Sequence, residues 1–320
     1  MKKRLLSWEG LLLAAFATIF AFNAISLPQF LTIPNQINMF QLSIEKVIVV
    51  MVMAFVIINA EIDLSVGSMM GLSACAFGWL FQQGVDPVVA IGLCLLIGVL
   101  GGAVNGLFVA WVGLPSLVVT LAALIGFRGL ARVLVEDRGI TDFPDWFDAL
   151  GQQGLIGPMT FAMISFFTLL VVAWIILEKS AFGRHTYVIG SNRDVAEFAG
   201  INTKRHKLII FVATGLVSAF AGLLYAARVG AVRGDVANGF ELDIITIVLL
   251  GGASIFGGSG TLVSTGLAIL IVLNLRNGMA LHNVTGHIQT GVIGFLLIAS
   301  VLVPRLDLLR RITKKSKGQE

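Results

Sequence analysis

Long apolar runs separated by short polar intervals make up most of the chain. A helix that crosses a bilayer needs about 20 consecutive, mostly apolar residues. Such runs occupy 8–27, 88–111, 115–135, 158–177, 208–227, 261–280 and 288–303. Shorter ones fill 47–60, 69–81 and 242–256. Glu61-Ile62-Asp63-Leu64-Ser65-Val66-Gly67-Ser68 separates the first two of these shorter runs, and Asp86-Pro87 makes a turn after the second. The pattern predicts an all-α, polytopic membrane protein of about ten transmembrane helices in a single domain over 1–320. Two longer polar intervals, 136–157 and 178–207, are predicted as loops.

Composition agrees with this picture. The chain is 57% hydrophobic and only 12% charged, whereas soluble domains are about a quarter charged. A net charge of +4 would suit nucleic acid, but the cations are clustered. They fall at Lys2, Lys3 and Arg4, in 178–207, and in a basic tail over 305–320 that holds Arg305, Arg310, Arg311, Lys314, Lys315 and Lys317. That is the distribution of cytoplasmic segments in a membrane protein, and it argues against a nucleic-acid partner. Both termini are then cytoplasmic, so the number of spans is even and 178–207 lies inside. The interval 136–157 falls outside and carries Glu136, Asp137, Asp142, Asp145 and Asp148 against Arg138 alone. Trp79, Trp111 and Trp174 fall at predicted interfaces with the lipid bilayer. Cys75 and Cys94 lie in apolar runs without CxxC spacing, which argues against a disulfide or a thiolate metal site. The N-terminal run is read as a first anchor, since no convincing cleavage site follows it.

The interval 178–207 holds six basic residues: Lys179, Arg184, Arg193, Lys204, Arg205 and Lys207. In its middle, Asp194-Val195-Ala196-Glu197-Phe198-Ala199-Gly200 predicts a short amphipathic helix. Asp194 favours the positive end of such a helix and Gly200 its stop.

Ionisable groups at membrane depth are costly, and they usually face a cavity or a partner. Glu61, Asp63, Glu241 and Asp243, with Asn59, Ser65, Asn105, Asn274, Arg276 and Asn277, are the candidates. Two roles fit them. They could form a path of hydrogen-bonding groups for sugar hydroxyls, or they could cap helices at the interfaces, with Asp63-Leu64-Ser65 holding a broken helix together. An internal echo links several of them. Glu61-Ile62-Asp63 with Gly71 matches Glu241-Leu242-Asp243 with Gly251, and Asn105-Gly106 matches Asn277-Gly278. The members of each pair lie on segments of opposite sense, which suggests an inverted repeat.

Gly98, Gly102 and Gly106 stand four apart and predict close helix packing. The glycine-rich run 251–260 lacks the Gly-Lys-Ser/Thr ending of a phosphate loop, so its glycines are read as turn and packing residues. His185, His206, His282 and His287 form no recognisable catalytic or metal constellation.

Three motifs taken in order carry a resemblance: 61–68, then Gly183-Arg184 through Gly190 to Ala199-Gly200-Ile201, then Glu241-Leu242-Asp243 followed by LLGGASIFGGSG. Together the chain resembles the ribose-type branch of ABC transporter permeases, whose members import ribose, xylose, rhamnose and autoinducer-2. It departs from the usual Gly-Ile-Asp-Leu-Ser by carrying Glu61 in place of the glycine. The resemblance implies an ABC importer permease fold paired with a second permease, either another copy or a paralogue. It also implies a periplasmic sugar-binding protein and a cytoplasmic ATPase subunit. This chain would hold no cofactor, and ATP and Mg²⁺ would bind the ATPase. The helix around 194–200 would be the coupling helix, with Arg184, Arg193 and Glu197 as polar contacts and Phe198 as an apolar one. The region after Phe240 is closest to the rhamnose and autoinducer-2 types. An ion-coupled carrier using Asp63 or Glu241, with no ATPase, is the rival reading. A membrane-embedded enzyme or receptor would need catalytic groups that the chain does not display.

Overall fold

A computed structural model describes residues 8–136 and 138–316. Lys2, Lys3, Arg4, Asp137 and Lys317, all used in the charge argument, lie outside those residues, and so do the side chains of the tail from Arg305 onward. The order begins with α1 (Trp8–Ser26), α2 (Ile33–Gln41), α3 (Ile44–Ile58) and α4 (Val66–Gln82). α5 (Pro87–Leu107) then runs on through a π-helical turn at Phe108–Val112. α6 (Ser116–Val135), α7 (Asp145–Gln152), an antiparallel hairpin of β1 (Gly154–Ile156) and β2 (Met159–Thr160), and α8 (Phe161–Lys179) come next. The chain continues with α9 (Ala181–Ser191), α10 (Arg193–Phe198), α11 (Thr203–Val229), α12 (Phe240–Leu250), α13 (Leu262–Leu281) and α14 (Gly286–Ser316).

Among the described residues, six helices are long and apolar enough to cross a membrane: α1, α5 with its π turn, α6, α8, α11 and α13. A seventh is reached if α2 and α3, bent by 53°, count as one span. The expected runs 47–60, 69–81 and 242–256 fold instead as helices of 15, 17 and 11 residues. These short helices are the buried ones. α4 is buried without interruption from Val66 to Gly78, and α3 is buried all round except at Lys46 and Val52. A helix that is apolar on every side belongs inside, where the long helices shield it from lipid. The last run is part of α14, which continues as helix into the expected tail. The intervals predicted as loops also contain structure, with α7 and the hairpin in 136–157 and α9 and α10 in 178–207.

The long helices present apolar side chains outward. On α5, Leu93, Leu96, Leu100, Val104 and Leu107 are exposed, while Cys94, Gly98, Gly102, Asn105 and Gly106 are buried. An apolar surface this continuous is foreign to a protein surrounded by water and natural in lipid. The glycine stripe does what its spacing predicts. A Cβ at Gly98 would press on the Gly215 carbonyl, one at Gly102 would overlap the Phe211 carbonyl, and one at Gly106 would crowd Leu208. Helices α5 and α11 therefore meet backbone to backbone. The helix starts are set by local chemistry. Asp86 accepts from the Val88 and Val89 N–H groups at 2.9 and 3.3 Å ahead of Pro87, and Thr261 caps α13 through the Ser264 N–H.

Candidate functional site: an exposed helix and a buried helix break

The interval 178–207 folds into three capped helical pieces. Ser180 caps α9 through the Gly183 N–H at 3.1 Å, Asn192 caps α10 through Val195 at 3.0 Å, and Asn202 caps α11 through Arg205 at 3.0 Å. α10 closes with a Schellman motif. The Ile201 N–H bonds the Ala196 carbonyl, the Gly200 N–H bonds the Glu197 carbonyl, and Gly200 takes φ +78°. Of the residues expected on this helix, Ala196 alone is buried; Arg193, Asp194, Glu197, Phe198, Ala199 and Gly200 are exposed, as is Arg184 on α9. Phe198 is 92% exposed and its neighbour Val195 is 56% exposed. Glu197 accepts from Thr203 Oγ1 at 2.7 Å and from Arg193 Nε at 2.9 Å. The Thr203 hydroxyl first, then Arg193, holds the Glu197 carboxyl below its ordinary pKa.

This interval packs onto the place where α3 ends. A Cβ at Gly190 of α9 would overlap the Ile58 carbonyl, and that carbonyl also accepts the Gly258 N–H at 2.8 Å from the glycine-rich run. Tyr187 donates its hydroxyl to Gly260 O at 2.8 Å, and burial, ahead of the charge of Glu178, pushes its phenol up to about 12. α3 itself stops in a second Schellman motif. The Glu61 N–H bonds Val56 O, the Ala60 N–H bonds Ile57 O, and Ala60, although not glycine, sits at φ +62°. The next residue, Glu61, forms a buried ion pair with Lys207 of α11. Two residues on, Asp63 accepts the Ser65 N–H at 2.8 Å and the Ser65 hydroxyl at 2.6 Å, and Asn105 Nδ2 donates to the same hydroxyl oxygen at 3.0 Å. Asp63, Ser65 and Asn105 thus form one buried cluster at the start of α4. Asn59 is buried beside the break, and neither amide atom has a hydrogen-bond partner among the described residues.

The start of α12 lies against the start of α4. A Cβ at Gly67 would overlap the Glu241 carboxylate, and Gly71 lies beneath Arg128, which donates to the Val236 and Ala237 carbonyls. From this junction α4 leads past Gly78 to Val232, at the end of α11 remote from Lys207. α12 leads the other way, into the glycine-rich run against Ile58. Two short helices thus bring their positive N-terminal ends together at depth and depart in opposite senses, an arrangement suited to a polar solute. Glu241 is buried and its Oε2 has no hydrogen-bond partner among the described residues.

The other expected residues lie apart from this junction. Asp243 accepts from Lys46 at 3.0 Å and from Arg276 at 2.6 and 2.7 Å. Asn274 Nδ2 donates to Leu270 O, and the Asn274 backbone carbonyl accepts from Asn23 Nδ2. Asn277 exchanges reciprocal amide bonds of 3.0 Å with Asn35. Sequence reasoning did not find Lys46, Glu45 with Arg228, or the Lys207 partner of Glu61. These partners are 197, 183 and 146 residues apart, and no local pattern marks pairs so distant. A groove of about 500 Å³ between α3, α8 and α11 is lined by apolar side chains and includes none of the expected pathway residues. Among the described residues, no group of three or more His, Cys, Asp or Glu is placed to hold a metal ion.

Residues 36–301 match the family model described as "branched-chain amino acid transport system / permease component". The autoinducer 2 import system permease protein LsrD of Yersinia enterocolitica serotype O:8 / biotype 1B is 33% identical over 271 residues, covering 83% of this chain and 82% of that protein. The protein of the same name from Yersinia pseudotuberculosis serotype O:1b is 34% identical, covering 83% of this chain and 81% of its own. No solved structure matches the chain.

Proposed function

The chain belongs to the family of branched-chain amino acid transport system permease components, and we propose that it is the membrane subunit of an ATP-driven ABC importer in the bacterial inner membrane. Its partners in this reading are a cytoplasmic ATPase that binds ATP and Mg²⁺, a second permease, and a periplasmic binding protein. The cargo is a monosaccharide or a furanosyl compound of the autoinducer-2 kind, in keeping with the relatives' names.

The observation that carries this reading is α10. A six-residue helix capped at both ends, with a 92% exposed phenylalanine at its tip, has no use for that side chain within its own fold. A rigid aromatic knob flanked by charge is what a partner's pocket recognises. Phe198 is the apolar anchor, and Arg184, Arg193, Asp194 and Glu197 form the polar rim. Ala196 seats the helix, while Ala199 and Gly200 bring its end close to the partner. The cargo path runs past the junction of α4 and α12, where Asp63, Ser65, Asn105 and Glu241 offer donors and acceptors. Beside the path, Asp243 ties α12 to α3 and α13 through Lys46 and Arg276, Asn277 ties α13 to α2 through Asn35, and Asn274 bonds within α13.

The test is a gentle-detergent pull-down of the chain from its native membranes with mass spectrometry of its companions. An ATPase subunit is expected with the wild type. Phe198→Ala should weaken that contact by about 2 kcal/mol, roughly thirtyfold, with the amount of chain in the membrane unchanged. Recovery of the chain alone, under conditions that keep a control ABC complex intact, would overturn the reading. Uptake that survives ATP depletion but collapses with the proton gradient would instead favour the ion-coupled carrier, with Asp63 or Glu241, whose Oε2 has no hydrogen-bond partner among the described residues, as its ion site.

A further inference from the structure

The Glu61–Lys207 pair is the one feature of the break that departs from the Gly-Ile-Asp-Leu-Ser pattern. Both side chains are about nine-tenths buried. Burying two charges costs about as much as their attraction returns, so such a pair is weak evidence of stabilisation and better evidence of a register being specified. The surrounding contacts show which register. Thr203, on the first turn of α11, holds Glu197 of α10. Lys207 stands one turn further along the same helix and holds Glu61. Glu61 follows the strained Ala60 and comes two residues before Asp63, whose carboxylate fixes Ser65 and through it Asn105. Polar contacts joined by one turn of α11 and by the chain from Glu61 to Asp63 therefore run from the exposed α10 to the buried start of α4. Gly190 against Ile58 O and Tyr187 on Gly260 give a second attachment from α9.

We propose that Glu61 and Lys207 are positioning residues: their ion pair transmits displacement of α10 to the α3–α4 break, and so to the Asp63–Ser65–Asn105 cluster. The consequence for import rests on the reading of α10 as the coupling helix, whereas the mechanical link itself does not. The pair holds the break against the first turns of α11, so the break follows when the partner shifts α10. Without the pair, α10 and the first turn of α11 can move while the break stays where α4, α5 and the Gly190 contact of α9 hold it. Coupling between distant sites requires an element whose two arrangements both sites bias, and the break is assigned that part in the proposal.

The experiment replaces the pair rather than halving it, since a lone buried charge would itself destabilise the chain. Glu61→Met with Lys207→Met is expected to fold and melt at or above the wild-type temperature. The link is read in the purified full chain by hydrogen exchange. Gly200→Val, which forces a β-branched residue into the left-handed region and loosens α10, should speed exchange of amides 59–65 about tenfold when the native pair is present. In the Met/Met background the same substitution should leave those amides unchanged, and the exchanged pair Glu61→Lys with Lys207→Glu should restore the response. Transmission that persists in the Met/Met protein, or that is absent with the native pair, would overturn the proposal. In vesicles with the full complement of subunits, Met/Met should lower cargo imported per ATP hydrolysed by about tenfold with ATP hydrolysis retained. Wild-type uptake that needs no ATP would remove the importer reading and leave the exchange result to decide the link.

Discussion

At the residue scale, Ala60 shows how the break is built. A Schellman motif needs its penultimate residue in the left-handed region, where a Cβ costs an L-residue about 1–2 kcal/mol. Gly200 meets that demand at the end of α10, whereas α3 ends in the same motif with alanine at φ +62°. The Ala60 side chain is exposed, so removing its methyl gives up little burial. Glycine would gain the strain back, less about 0.4–1 kcal/mol for its freer unfolded chain. Ala60→Gly should therefore leave stability equal to the wild type or raise it by up to about 1.6 kcal/mol, read as a thermal melt in detergent. Ala60→Val should lower it. A clear loss in the glycine variant would show that the methyl group packs against something of value. Strain kept beside a buried polar cluster is the usual company of a moving part, and this break joins the exposed helix to the candidate pathway.

At the element scale, the contact between α5 and α11 rests on glycines whose absent side chains make room for backbone. Gly102→Ala puts a methyl group on the Phe211 carbonyl, which cannot rotate away, and overpacking of this kind costs about 1–3 kcal/mol. Gly126 in α6 has nothing within 4 Å of where its Cβ would stand, so Gly126→Ala should be neutral or gain up to about 1 kcal/mol in helix propensity. Melts of the two variants check the contrast, and equal behaviour would refute the tight α5–α11 seam. The spacing of Gly98, Gly102 and Gly106 made this seam legible in the sequence, and Asp194 with Gly200 did the same for α10, though its N-cap Asn192 was found only in the structure. The α2–α3 bend was not legible, because Ile33–Gln41 is too polar to register as a span. The runs that became α4 and α12 were legible as short, but their burial inside the protein was not. An apolar run reports that a segment avoids water without reporting whether lipid or protein surrounds it, and burial inside other helices removes the length requirement that lipid imposes. Asp63 with Ser65 could be guessed from adjacency, but the Asp243 and Glu61 partners could not, since they are set by how helices distant in sequence come together.

At the scale of the whole molecule, the orientation in the membrane decides whether the proposed partners can reach the surfaces assigned to them. α11 begins beside α10 and ends near Val232, which pairs with Ile140 of the acidic interval in an isolated bridge. Its 27 residues span about 40 Å at 1.5 Å per residue, enough to cross the hydrocarbon core. The interval 178–207 and the interval 136–157 are therefore at opposite ends of one membrane-crossing helix, and they must face opposite compartments whichever way the chain inserts. We propose that charge chooses the way, with the segment of six basic residues inside and the one dominated by acids across the membrane. Site-specific thiol labelling tests this cleanly, because Cys75 and Cys94 are both fully buried and should give little background. In intact spheroplasts, Arg138→Cys should react with a membrane-impermeant maleimide, and Ala199→Cys should react only after permeabilisation. Both positions are exposed and neither is part of the buried cluster, so the folded chain should tolerate both changes. The reverse pattern would put α10 outside, away from any source of ATP, and the coupling assignment would fail with it. Labelling of both positions in intact cells would mean that α11 does not cross, contradicting the architecture itself.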